Sequence, residues 1–199
     1  MCRLVRRGEE NWLWSLLYEF NGDPHVHARF AGSFGLCAFH GALLLELVVR
    51  ERRLMTASAV ARLYESALRR WRQAAPGQLP AAGQCLLCEY AHGAEDRYGY
   101  FLARALVGQG WRATYARSDG LCRPHLANVC AHASATIRGW LTADFAARLS
   151  ELTGRLQELQ RKQRYEDPNV PTPAEVASWR EAVWRMGGMH FDRLLISDR

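Results

Sequence analysis

The sequence predicts an all-α protein made of two tandem metal-stapled helical modules plus a C-terminal helix and tail. Three observations predict this class. Apolar residues recur at spacings of three and four through most of the chain, no run of alternating strand-type residues stands out, and one motif occurs twice. With 199 residues, of which 49% are hydrophobic, the chain is long enough for one sizeable core or two small ones.

The first helix of each module is predicted from an apolar stripe that follows a pair of acidic residues. The two stripes are Trp12, Leu13, Leu16, Leu17 and Phe20, and Tyr98, Phe101, Leu102, Ala105 and Leu106. The acidic pairs are Glu9 with Glu10 and Glu95 with Asp96. We interpret these acids as first-turn residues that favour the helix dipole, rather than as acid-base catalysts.

Later helices follow from their caps and periodicity. Helices are expected after each Gly-Leu-Cys run, with Ser33 or Ser118 near the cap, and over about 56–73 and 134–165. Linkers at 74–83 and 166–171 then divide the chain into module 1 (1–75), module 2 (84–165) and a C-terminal segment (172–199). That segment opens with the capping box TPAE, and its helix is expected to end at the glycine pair 187–188. We expect the apolar residues of the tail to pack on the core or on a partner: Met189, Phe191, Leu194, Leu195 and Ile196.

The repeated motif is the run SFGLCAFH at 33–40, which matches SDGLCRPH at 118–125. Serine, the Gly-Leu-Cys run and histidine are identical in both. With a single-residue gap, the alignment extends upstream until Cys2 pairs with Cys88. Two copies of one module explain this pattern best.

The repeat contains metal-ligand chemistry. In module 2, Cys85 and Cys88 form a CxxC pair and Cys122 and His125 form a CxxH pair, which together supply the three thiolates and one imidazole of a structural zinc site. An iron–sulfur cluster with one histidine ligand stays open as an alternative. A redox-active CxxC is less favoured, because such pairs normally open a helix in a βαβ context that this sequence lacks.

Module 1 repeats this site incompletely, with Cys2, Cys37 and His40. The counterpart of Cys85 would fall two residues before Met1. We therefore expect that the coding sequence starts further upstream, or that the site is completed by His25, His27 or the terminal amine. A third alternative is that module 1 has lost its metal and folds by apolar packing.

These residues resemble an uncharacterised family of bacterial helical proteins that carry a CxxC, an acidic and aromatic first helix, and a Gly-x-Cys-x-x-His motif. The resemblance covers most of the first 130 residues and is specific in the cysteine and histidine spacing. It implies metal binding and implies no substrate, because the family has no established activity.

Composition limits the function classes. The net charge is +6, but Lys162 is the only lysine and the arginines form no strong cluster, so a nucleic-acid surface is the less favoured interpretation. The sequence shows no membrane span and no secretory signal, which predicts a cytoplasmic protein, where closely spaced cysteines are more often metal ligands than disulfides.

The function expected from the sequence is that of a zinc-stabilised protein-interaction module, an adaptor or accessory subunit. Its contacts with a protein partner would use arginine-rich helices and the region of Trp179 and Trp184. An iron–sulfur electron carrier and a nucleic-acid-binding regulator are the two alternatives, and homodimerisation also stays open. No catalytic motif is evident, and an open three-ligand site at Cys2, Cys37 and His40 is the one route by which the sequence suggests an enzyme.

Overall fold

A computed structural model describes residues 1–51, 54–75, 78–164 and 168–188, with the side chains of residues 51, 54 and 55 excepted. Its elements are the helices α1 (Cys2–Tyr18), α2 (Pro24–Gly32), α3 (Ala38–Glu51), α4 (Leu54–Arg72), α5 (Leu86–Ala105), α6 (Gln109–Ala116), α7 (Arg123–His132), α8 (Ala135–Lys162) and α9 (Pro173–Gly187). No strand occurs among the described residues, which confirms the predicted all-α class. Within those ranges, no helix has the length and apolarity that crossing a membrane requires.

The chain forms two compact units that differ from the predicted modules. The first unit is Leu4–Ala94, and the second unit combines Met1–Arg3 with Glu95–Arg199. The boundaries therefore fall inside helices α1 and α5, and the predicted division into 1–75 and 84–165 is wrong for the compact units. The physical reason lies at the start of α5, where the Leu87 side chain is fully buried in the core of the first unit.

The core of the first unit is built from α1, α2, α3, α4 and the start of α5. Helix α2 packs against α4, and the ring of Phe30 meets the ring of Tyr64 edge to face at 5.1 Å. The fully or almost fully buried side chains of this core are Leu13, Leu16, Phe30, Leu43, Leu44, Leu47, Leu63 and Leu87.

The core of the second unit lies among α5, α6, α7 and α8. Leu106, Val129 and Leu141 are its most deeply buried members. Phe145, one of the regularly spaced apolar residues on α8, also belongs to this core, and α8 packs against both α7 and α9.

Helix starts confirm some of the predicted caps and correct others. The Thr172 hydroxyl and the Glu175 carboxylate form the expected capping box of α9, and Gly188 ends that helix at φ 79°. Ser33 and Ser118 do not cap α3 and α7. Ser33 instead follows the end of α2, and the Ser118 hydroxyl donates to the carbonyl of Tyr115.

The glycine of each Gly-Leu-Cys run explains why that run recurs. Gly35 and Gly120 have φ values of 95° and 75°, in the left-handed region that residues with a Cβ rarely adopt. The chain turns at each glycine, and the next helix begins directly after the cysteine of the run: α3 after Cys37 and α7 after Cys122. The tail from residue 189 lies outside the described residues, as do parts of both predicted linkers.

Candidate metal centres

The cysteines and histidines of the two motifs form two clusters, and the clusters exchange the ligand pairs that the sequence grouped together. Cys37, His40, Cys85 and Cys88 form a four-residue cluster in the first unit, and Cys2, Cys122 and His125 form a three-residue cluster in the second. In each cluster all the donor atoms lie within 4.8 Å of one another. The predicted ligand residues are therefore brought together, but the predicted grouping is wrong, because the CxxC of module 2 meets the CxxH of module 1.

Helix starts place the ligand pairs. Cys122 is the N-cap of α7 and Cys37 directly precedes α3, so the histidine three residues later lies in the first turn of the helix. Cys85 directly precedes α5 in the same way, and Cys88 follows in its first turn. A spacing of three residues puts both side chains on one side of such a turn, where the helix dipole also favours a thiolate.

Contacts before and after Cys85 fix the CxxC pair in the first unit. The Gly83 amide donates to the carbonyl of Gly32 at 2.9 Å, which ties this segment to the end of α2. Beyond the pair, the rings of Tyr90 and Trp12 lie 6.0 Å apart. Cys85 itself is buried in the hydrophobic core of this unit, so hydrophobic packing places Cys85 and Cys88 next to Cys37 and His40.

Distances in the four-residue cluster fit one metal ion. The Cys37 and Cys88 sulfurs lie 3.6 Å apart, and His40 Nδ1 lies 3.3 to 3.6 Å from the sulfurs of Cys37, Cys85 and Cys88. A tetrahedron with Zn–S bonds of about 2.3 Å and a Zn–N bond of about 2.0 Å has edges of roughly 3.8 Å between sulfurs and 3.6 Å from sulfur to nitrogen. The side chains therefore already stand close to the corners of such a tetrahedron.

The three-residue cluster has the same character with one donor fewer. Cys2 Sγ lies 3.5 Å from Cys122 Sγ and 3.1 Å from His125 Nδ1, and Cys122 Sγ lies 3.0 Å from that nitrogen. All three residues are buried. This set can hold a metal ion through three protein donors.

A glutamate stands behind each histidine on the side away from the sulfurs. Glu9 Oε1 lies 3.1 Å from His40 Nε2, with both side chains almost fully buried, and Glu95 Oε1 lies 3.4 Å from His125 Nε2. In metal sites such a carboxylate fixes the histidine tautomer and orientation and raises the basicity of the ligand nitrogen. The predicted dipole role is thus wrong for Glu9, because α1 begins at Cys2 and places Glu9 in mid-helix.

The role of these glutamates beside the histidines was not predicted from the sequence. Glu9 aligns with Glu95 in the repeat just as His40 aligns with His125, so a carboxylate matched to each histidine was present in the alignment. The sequence does not distinguish Glu9 from its neighbour Glu10. In the structure Glu9 is buried beside His40, whereas Glu10 pairs with Arg6 and Arg50 near the surface.

Electrostatics in the three-residue cluster favour a cation. Contact with Cys122 lowers the pKa of Cys2 to about 4, against the effect of burial, and His125 adds to the lowering. Burial opposes the charged form of His125, but contacts with Cys2 and Glu95 outweigh it and raise the His125 pKa to about 9. Contact with the Cys2 thiolate, followed by burial, raises the pKa of Cys122.

In the four-residue cluster, burial and contact with Cys37 raise the pKa of Cys88 to about 12. Without a metal ion, Cys122 and Cys88 keep their protons, because two adjacent thiolates would repel each other. A divalent cation removes that repulsion, and its binding releases the thiol proton and, in the three-residue cluster, the proton of His125 as well.

His27, Cys130 and His132 take no part in either cluster. His27 bonds Ser66 at 2.6 Å and the Asn21 carbonyl at 2.7 Å, so it does not complete the site of Cys37 and His40, whose remaining donors are Cys85 and Cys88. Cys130 packs beside the core of the second unit, and His132 bonds Asp96 at 2.8 Å.

Comparisons of the chain with protein-family models, with curated proteins and with solved structures give no match. A function can therefore be proposed only from the two clusters and the surfaces of the described helices.

Proposed function

We propose that this protein is a zinc-stabilised helical interaction module, which binds an amphipathic helix of another protein through the outer face of α9. The proposal has two parts: a structural zinc ion at Cys37, His40, Cys85 and Cys88, and a docking surface on the second unit.

Zinc is the metal that the four-residue cluster fits best. Three thiolates and one imidazole at tetrahedral spacing form a closed structural site. An iron–sulfur cluster distributes its ligands over at least two irons, which spreads them further apart than these four donor atoms, all within 4.8 Å of one another, so a single ion is favoured. The Glu9 carboxylate behind His40 adds the carboxylate–histidine arrangement typical of zinc sites. When bound, the ion would hold the start of α5 against the start of α3.

The observation that carries the interaction proposal is that α9 is inverted, with its polar residues inside and its apolar residues outside. The buried side of α9 carries Glu175, Ser178 and Arg185, at 9%, 0% and 3% exposure. Ion pairs satisfy the charges there, with Lys162 at 2.9 Å from Glu175 and Glu181 at 2.8 Å from Arg185; Glu181 also pairs with Arg155 at 2.7 Å.

The outward side carries an apolar stripe, defined as Val176, Trp179, Val183 and Met186, each 47 to 50% exposed. Spacings of three, four and three put these side chains along one face of the helix. Burying polar groups while exposing Trp, Met and Val costs stability in an isolated protein, and Trp and Met are enriched at interfaces. A partner helix laid along the stripe would cover it.

Charge favours a different protein over a second copy as the occupant. Arg180 lies near the middle of the stripe, with its guanidinium 5.2 Å from the ring of Trp179. In a two-fold antiparallel pairing of α9 with itself, residues near the middle face their own copies, so two Arg180 guanidinium groups would be brought together. A partner helix with an acidic residue beside its apolar stripe avoids that repulsion.

Several arginines of the described helices contribute little to a nucleic-acid surface, because acids neutralise them locally. Arg6 pairs with Glu46 at 3.0 Å, Arg148 with Asp144 at 2.8 Å and Arg161 with Glu158 at 2.8 Å. This local pairing favours a protein partner over nucleic acid. Trp184, which the sequence placed in the partner surface together with Trp179, instead lines a cavity beside Cys2.

The test begins with a photo-crosslinking residue at Ala177, on the exposed side of α9, in cells that express the full chain, with Thr153 on the exposed side of α8 as the control position. A protein crosslinked from position 177 and not from 153 is purified, and its dissociation constant is measured for wild type and Trp179→Ala. Because truncating a central aromatic residue of an interface costs about 2 kcal/mol or more, binding should weaken about 30-fold.

Leu68→Ala, at a comparably exposed leucine on α4, should leave the affinity unchanged. The proposal is overturned if position 177 crosslinks only a second copy of this chain or nothing. It is also overturned if Trp179→Ala binds the purified partner as tightly as wild type.

A further inference from the structure

We propose that Cys2, Cys122 and His125 bind a second zinc ion, and that this ion keeps the C-terminal end of α9 packed against α7. The effect of this ion on partner binding rests on the proposed α9 surface, whereas its effect on α9 itself does not. The proposal concerns these three donors, and it is the same whichever group takes the remaining coordination position.

The three donors need only small shifts to accept zinc. The two sulfurs lie 3.5 Å apart, and each lies 3.0 to 3.1 Å from His125 Nδ1. The corresponding edges of a tetrahedral zinc site are roughly 3.8 Å and 3.6 Å, so side-chain movements of less than 1 Å would open the cluster for one ion. Cys2 belongs to the same compact unit as α7 and α9, so the site lies within one unit.

The C-terminal end of α9 lies directly against the turn that carries Cys122. Helix α9 packs against α7, whose N-cap is Cys122. Arg185 Nη1 on the buried side of α9 donates to the Leu121 carbonyl at 3.5 Å. At Gly188, which ends α9, an added Cβ would lie only 3.3 Å from Cys122 Sγ. The end of α9 is therefore in contact with a donor sulfur and with the residue before it.

Other contacts hold this end of α9 weakly. The hydrogen bond from Arg123 Nε to the Met186 carbonyl measures 3.4 Å, so it and the bond from Arg185 are both longer than the usual 2.7 to 3.2 Å. The hydrophobic core of the second unit includes no described side chain of α9. Buried ion pairs such as that of Lys162 with Glu175 add little net stability, because desolvation offsets their attraction.

A zinc ion would act on the atoms that α9 contacts. Bound to Cys2, Cys122 and His125, it would fix the position of the Cys122 sulfur and of the adjoining Leu121 carbonyl. An isolated helix of about 15 residues is only marginally stable in water, so α9 depends on its packing to present the apolar stripe. Because coupling between two sites is reciprocal, a partner bound to the stripe should in turn raise the zinc affinity of this site.

The experiment measures hydrogen exchange of the α9 amides in the full chain by mass spectrometry, with and without Zn²⁺. Wild type should bind two zinc ions, and zinc should slow exchange over 173–187 by about 10-fold, within the usual range of coupling between two sites. Cys2→Ser removes a donor outside the turn that contacts α9. This variant should bind one ion and lose the slowing in α9, while zinc still slows exchange in α3 through the four-residue cluster.

Cys130→Ser is the matched control, because Cys130 lies on α7 but in neither cluster, and it should respond to zinc as wild type does. Cys122→Ser provides the same comparison if Cys2→Ser does not fold. Three results would each overturn the inference: binding of only one zinc ion by wild type, binding of two ions with unchanged exchange in α9, or a slowing in Cys2→Ser or Cys122→Ser as large as in wild type. These measurements use no partner, so their failure leaves the α9 surface open to the separate test with Trp179→Ala.

Discussion

Replacing Glu9 with glutamine tests whether the buried carboxylate supports a metal ligand. Glu9 is 5% exposed, and its carboxylate reaches His40 Nε2 at 3.1 Å. Glutamine has the same shape and keeps an acceptor oxygen, so the substitution removes the negative charge alone. Loss of an outer partner of a ligating histidine typically costs 10- to 100-fold in metal affinity. Because the hydrogen bond can persist, we expect the lower end for Glu9→Gln, about 10-fold, or about 1.4 kcal/mol.

Two neighbouring carboxylates give the controls. Glu95 Oε1 lies 3.4 Å from His125 Nε2, too far for a well-formed hydrogen bond, and the Glu95 side chain is 36% exposed, so Glu95→Gln should weaken metal binding by Cys2, Cys122 and His125 by less than 10-fold. Glu10 lies beside Glu9 in the sequence but pairs with Arg6 and Arg50, so Glu10→Gln should leave metal affinity unchanged.

The assay is competition for zinc against a chromogenic chelator at constant pH, with the thermal transition recorded with and without metal. If Glu9→Gln and Glu10→Gln lose the same affinity, a general effect of negative charge accounts for both, and the proposed role of Glu9 is refuted. If Glu9→Gln keeps wild-type affinity, His40 does not depend on Glu9 for its orientation.

Two further predictions concern pH and packing. The raised pKa of Cys88, about 12, means that this thiol is protonated at neutral pH without metal. Metal binding then releases the proton, so the affinity for zinc should fall about 10-fold per displaced proton for each unit by which the pH drops. Zinc titrations at pH 6, 7 and 8 would measure this dependence. An affinity that does not change with pH would contradict the assignment of Cys88 as a protonated thiol. At Gly99, an added Cβ would lie 1.7 Å from Asn128 Oδ1, whereas at Gly154 it would meet nothing within 4 Å. Gly99→Ala should therefore lower the free energy of unfolding by about 1 to 3 kcal/mol, and Gly154→Ala should raise it by about 0.5 to 1 kcal/mol, as measured by denaturant unfolding. The opposite order would show that α5 and α7 are not in close contact at Gly99 and Asn128.

The sequence alone predicted the features that depend on residues close together in the chain. Period-three and period-four spacing of apolar residues predicted the all-α class, and the capping box predicted the start of α9. The CxxC and CxxH spacings identified six of the seven residues that the structure gathers into clusters, because three residues of separation at a helix start bring two side chains together whatever the rest of the chain does. The alignment of the repeat identified the seventh, Cys2.

Tertiary packing decided which of the CxxC and CxxH pairs lie together in one cluster. The repeat suggested that each module keeps its own ligands, but Leu87 at the start of α5 is buried in the core of Leu4–Ala94, and it takes Cys85 and Cys88 to Cys37 and His40. Apolar burial is not directional, so the sequence shows that Leu87 is buried without showing in which core.

The support of each histidine by a glutamate and the inversion of α9 also depend on tertiary contacts. Glu9 and Glu10 are indistinguishable in the sequence, and only the rotation of α1 turns the first towards His40 and the second towards Arg6. On α9 the sequence shows an apolar stripe without showing which face is buried, and Lys162 and Arg155 offer charges to the opposite face, which lies inward. The sequence determined which residues can bind metal and which helices carry them, whereas long-range packing decided which of these residues lie together and which face of α9 stays exposed.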